Sequence, residues 1–128
     1  MGLYDGRDDA LEFYTSKSLQ EITKEIRNAA NSLRATVGAI QEDNDPLSMN
    51  NTRADIEVYL EGTNFMGSFA GGKYWVVQIY VQDEGEKRHV ILLAVGDKSL
   101  ARFIKGGRNA TSLKDGIKKR DLIAARLR

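Results

Sequence analysis

The chain has 128 residues, 41% hydrophobic and 29% charged, a balance that predicts one globular domain, 1–128, with its own core. It has no cysteine, so disulfides, thiolate nucleophiles and cysteine-bound zinc are excluded together, and no apolar run approaches the roughly 18 residues that span a bilayer. The net charge of +1 conceals a polarised molecule: residues 98–128 hold ten basic and two acidic side chains, or +8, and residues 1–97 hold nine and sixteen, or −7.

Residues 1–9 read as a flexible lead-in, too acidic and polar for a signal peptide, and Gly6 stands where a myristoylation site needs Ser or Thr. Leu11 to Thr15 fits a short strand or an early helical turn, and the pattern does not separate the two. Ser18 with Glu21 three residues on is a capping box. Behind it Leu19, Ile22, Ile26, Ala29, Ala30, Leu33, Val37 and Ile40 share one helical stripe, which predicts a long amphipathic helix fraying near Gly38. Residues 41–53, with Asp45-Pro46, read as a loop.

The period then changes to 2. Ile56, Val58 and Leu60 alternate with Asp55, Glu57, Tyr59 and Glu61, as in a half-buried strand. A glycine-rich stretch from Asn64 to Lys73 leads to a second strand, Tyr74 to Gln82, with Trp75, Val77, Ile79 and Val81 on one face. Asp83 to Glu86 is a hairpin turn, and Arg88 to Val95 is apolar on both faces, which predicts a central strand or one covered on its second side. Lys98 to Lys105 reads as a short helix closed by Gly106-Gly107. Ser112 and Asp115 then open a last helix with Leu113, Ile117, Ile123, Ala124 and Leu127 on one side. The expected fold is α+β in the order α-β-β-β-α: a three-stranded antiparallel sheet under a long N-terminal amphipathic helix, with short basic C-terminal helices.

No motif in the chain nominates catalysis. Gly67 to Lys73 satisfies the first seven positions of a phosphate-binding loop, but Tyr74 replaces the hydroxyl that holds magnesium and a strand replaces the helix that follows. His89, the sole histidine, opens a strand beside Lys87 and Arg88 and reads as a solvated side chain. Glu42, Asp43 and Asp45 lack the spacing of a calcium loop, and the sequon at Asn109 is incidental. We therefore expect no enzyme, no cofactor and no metal.

The basic end is more informative. On a helical wheel Lys114, Lys118, Lys119 and Arg126 lie opposite Leu113, Ile117 and Ala124, while Arg102, Lys105 and Arg108 around the glycine pair extend the same patch. Lys114 and Lys118 are a like-charge i,i+4 pair, which costs a few tenths of a kcal/mol unless a counter-charge arrives. The competing reading is a set of solubilising cations favoured near a helix C-terminus. Across the sheet, Tyr59, Tyr74 and Tyr80 fall on the face away from the long helix, suited to a protein interface or to cover by the C-terminal helix.

Two short segments carry resemblances. Residues Ile91 to Ser99 are similar to a strand ending in toxins of the RelE/ParE type. Asp115 to Asp121 resembles the basic final helix of the Alu-RNA-binding 14-kDa signal-recognition-particle subunit, which also has α-β-β-β-α order. Each covers under ten residues, and no residue role is carried over from either. The expectation is a cytoplasmic, non-catalytic domain contacting nucleic acid through its C-terminal cations. The alternative is a protein-interaction module or structural adaptor that uses its acidic body, basic end and tyrosine face to meet a protein partner or another copy of itself.

Overall fold

A computed structural model describes residues 9–40, 54–63, 73–95 and 110–128. The elements are β1 (Ala10–Thr15), α1 (Leu19–Leu33), β2 (Thr36–Ala39), β3 (Ile56–Thr63), β4 (Lys73–Asp83), β5 (Arg88–Ala94), β6 (Ala110–Thr111) and α2 (Leu113–Leu127). Five strands form an antiparallel sheet in the order β1-β5-β4-β3-β2, and the two-residue β6 runs parallel to the start of β4. The class is α+β as expected, but the sheet has more strands than the three anticipated.

The first helix begins where the capping box puts it. Glu21 N–H donates to the Ser18 hydroxyl at 3.1 Å, and the Glu21 carboxylate accepts from Ser18 N–H at 2.9 Å. It ends earlier than the apolar stripe implies. Arg34 adopts a left-handed conformation (φ 55°, ψ 44°), and Ala35 N–H closes back onto the Ala30 carbonyl at 2.8 Å. Thr36 to Ala39 then form β2, with Val37 opposite Leu60 and Gly38 opposite Tyr59. β-Branched Thr36 and Val37 beside Gly38 are poor helix formers, and the exposed edge of β3 offers them a ladder. Ile40 consequently lies on the other side of the sheet, packed with Tyr80 and Ile91 rather than with Ile22 and Ile26. The stripe's last two members were an accident of phase.

Leu11 to Thr15 belong to a strand. β1 pairs with β5, Phe13 opposite Val90, and so makes β5 a central strand. Both helices cover one face. Ile22, Ile26, Ala29 and Ala30 of α1 and Ile123, Ala124 and Leu127 of α2 share a core with Phe13, Leu60, Trp75, Val77, Ile79, Val81, Val90 and Leu92. The C-terminal helix therefore sits beside α1 and not over the tyrosines. The opposite face is nonetheless buried: Val76, Gln78, Tyr80 and Ile91 are each 1% exposed or less. The short helix expected at Lys98 to Lys105 lies outside the described residues, as do the acidic loop and the glycine stretch. Lys73 opens a strand, so the helix that a phosphate loop requires does not follow it.

Candidate nucleic-acid interface

α2 is set on the sheet from its first turn. Ser112 N–H donates to the Tyr74 carbonyl at 2.7 Å, and the Ser112 hydroxyl caps the helix by accepting from Asp115 N–H at 3.2 Å. Gly116 faces the sheet so closely that a Cβ there would stand 3.3 Å from Ala94 Cβ and from the Val76 carbonyl. This anchorage turns Gly116, Arg120, Ile123, Ala124 and Leu127 inward and leaves Lys114, Lys118, Leu122 and Ala125 along the outer arc.

The six cations from Lys114 to Arg128 are not equivalent. Lys114 and Lys118 are exposed and form no ion pair among the described residues. Lys119 is half-buried, its ammonium 5.8 Å from the centre of the Trp75 ring, at the outer limit of a cation–π contact. Arg126 reaches across to α1, where its guanidinium lies 3.8 Å from Glu25 Oε1. Arg120 is buried and donates from Nε and Nη2 to Asp121 Oδ1 at 3.1 and 2.9 Å. Arg128 lies over the Phe13 ring at 4.5 Å. The helical wheel thus misplaced Lys119, which bends back towards Trp75, and missed the Glu25 partner of Arg126, which no local pattern signals. Arg102, Lys105 and Arg108 lie outside the described residues.

The Lys114–Lys118 pair is also badly placed for a helix on its own. Lys114 is in the first turn of α2, where the aligned peptide dipoles present their positive end, and Lys118 follows one turn later. Only Arg126 occupies the last turn, where a cation is favoured. Macrodipole stabilisation therefore accounts for Arg126 and not for the Lys114–Lys118 pair.

The tyrosines do not make a platform. Tyr80 is 1% exposed, Tyr59 and Tyr74 are half-buried, and the Tyr59 ring covers Gly38, whose added Cβ would lie 2.4 Å from it. The rings of Tyr59 and Tyr80 pack in the sheet's second layer, with Val76 and Val95 and with Ile40 and Ile91. His89 is also buried, against the expectation of a solvated ring: Nε2 meets Glu12 Oε2, and Tyr14 stacks on it at 4.6 Å. A groove of about 330 Å³ between α1 and the β2–β3 edge is lined by Ile26, Arg27, Val37, Ile56 and Val58 with Thr23, Asp55 and Glu57. Its acids are turned to backbone amides, Asp55 to Asp83 N–H at 2.8 Å and Glu57 to Ala54 N–H at 3.1 Å, so it presents no acid–base pair.

No described helix is long and apolar enough to cross a membrane. The chain matches no family model and no curated protein, so the functional reading rests on the chemistry of its own residues.

Proposed function

We propose that the outer arc of α2 binds a polyanion, and that the ligand is the phosphate backbone of cytoplasmic nucleic acid. One observation carries the reading: Lys114 and Lys118 stand one turn apart, exposed and without a described counter-ion, with Lys114 in the first turn, where cations are least favoured. A phosphate bound across the pair relieves both repulsions at once. Lys119 and Arg126 flank the arc and are held by weak contacts, a long cation–π approach and a surface ion pair, which a stronger anion can displace. Arg102, Lys105 and Arg108 join the patch in this reading. The protein acts by binding and performs no catalysis. Contact is to phosphates and hence indifferent to sequence, because the described outer arc carries lysines and aliphatic side chains and no aromatic ring on which a base could stack. Electrophoretic mobility with random-sequence RNA and duplex DNA at two salt concentrations tests the proposal. Binding that weakens steeply with salt supports it, and absence of binding at the lower salt removes it.

A second reading draws on a different residue. Leu122 is 53% exposed and continues the stripe that Lys114 and Lys118 begin, as a protein partner with an apolar contact inside an acidic rim would require. In that case Leu122→Ala weakens the complex as much as loss of the lysines, whereas phosphate binding is indifferent to Leu122.

A further inference from the structure

We propose that the sole histidine makes the edge strand β1 a proton-controlled latch: charged, His89 ties β1 to the β4–β5 hairpin, and on losing its proton it lets β1 part more readily from β5. The inference is independent of the α2 surface, which lies on other residues.

Among the described residues β1 lies at the edge of the sheet, with β5 as its one strand partner. Its corner into α1 is held independently of the histidine, since the Arg88 guanidinium donates from Nε to the Lys17 carbonyl at 2.7 Å and from Nη2 to the Ser16 carbonyl at 2.9 Å. Ahead of that corner β1 is secured by its ladder, by the burial of Phe13 and by Glu12, whose carboxylate meets His89 Nε2. The other ring nitrogen, Nδ1, faces Glu84 Oε2 in the hairpin at 3.7 Å. Tyr14 of β1 stacks on the ring and carries the Lys87 ammonium 4.2 Å from its own centre. Gln82 stands opposite in β4, its amide turned to Asp55 at 3.4 Å.

The charged imidazole donates to Glu12 from Nε2 and attracts Glu84, too distant at 3.7 Å for a hydrogen bond, through its charge alone. The neutral ring has one N–H. If Nε2 keeps it, the link to Glu12 falls from a charge-assisted bond to an ordinary one, about half as strong. If Nδ1 takes it, Glu12 loses its donor, and its other oxygen is already buried without a hydrogen-bond partner among the described residues. Either way the sign is the same. The tie is present while the ring is charged and weakens once the ring has lost its proton.

Nuclear magnetic resonance on the intact chain tests this, because its one histidine gives a single set of imidazole signals. Hydrogen exchange of the amides in 10–15, corrected for intrinsic base catalysis, should accelerate about three- to tenfold between about pH 5 and pH 8. Its midpoint should coincide with the titration of the His89 ring proton, while the amides of 75–81 keep their protection. His89→Gln and Glu12→Gln should remove the pH dependence. The proposal is overturned if β1 opening does not follow the ring, if His89→Gln retains the same dependence, or if β4 loosens in parallel. Should the variants fail to fold, coincidence of the two midpoints in the unaltered chain decides the matter.

Discussion

The indole of Trp75 occupies the space that a side chain at Gly62 would need: a Cβ there would stand 2.7 Å from Nε1 of the ring. The two residues are opposite each other in the β3–β4 ladder, and Trp75 is 1% exposed at the floor of the helical layer. The ring supplies the packing that the glycine lacks, and the glycine admits a side chain too large for a full pair. Gly62→Ala should therefore cost about 1–3 kcal/mol, the usual range for overpacking, even though alanine suits a strand better than glycine. Urea unfolding that leaves the midpoint unchanged would mean that the ring moves aside freely.

Ile26 sits near the middle of the shared core at 4% exposure, with Ile22 fully buried a turn earlier. Ile26→Ala should cost about 2–5 kcal/mol by the same measurement. A change below about 1 kcal/mol would put the α1 stripe outside the core.

Arg34 pays the steric cost of a left-handed residue with a Cβ at the end of α1. Arg34→Gly should raise stability by a few tenths to about 1 kcal/mol, because the relief outweighs the extra freedom glycine has in the unfolded chain. A loss of stability would show that the arginine side chain contributes more at this corner than its backbone costs.

Acid should destabilise the protein through two carboxylates held below their ordinary range. Asp83 is lowered chiefly by the Gly85 N–H it accepts at 2.9 Å and then by Arg88 at 3.1 Å. Glu21 is lowered first by the Ser18 N–H and then by the Ser18 hydroxyl. Groups lowered in this way stabilise the fold above their unfolded values and cease to do so as pH falls through their folded ones. Stability should thus decline below about pH 4.5, and less steeply in an Asp83→Asn, Glu21→Gln variant. Identical acid slopes for the two proteins would dismiss these groups as the cause.

The elements legible in the sequence were those whose signals are local. The Ser18–Glu21 box placed the start of α1, the alternation of Ile56 to Glu61 and of Trp75 to Val81 set two strands and their inward faces, and Ser112 marked the start of α2. β1 and β2 were not legible for different reasons. Leu11 to Thr15 is too short to show a period, and Val37 and Ile40 happen to continue a helical phase although the backbone has already turned at Arg34. Alternation also says which face a residue takes and not what covers that face, which is why Tyr80 was open to an interface or to cover by the C-terminal helix and is instead buried with Ile40 and Ile91. At the candidate site the spacing of Lys114 and Lys118 was visible. The diversion of Lys119 to Trp75 and of Arg126 to Glu25 depends on contacts between distant segments, as does the pairing of His89 with Glu12 across 77 positions.

The salt dependence of nucleic-acid affinity, measured for the native chain and for Lys114→Glu, Lys118→Glu, tests the central claim most directly. Both positions are exposed, so the double variant should fold. Two phosphate contacts predict a slope of about −1.8 on duplex DNA and −1.4 on single strands in a plot of log affinity against log salt, steepening towards −3 to −4 if Lys119 and Arg126 are recruited. The reversed charges should abolish most of the binding and flatten what remains. A double variant with the native affinity and the native slope would contradict the account.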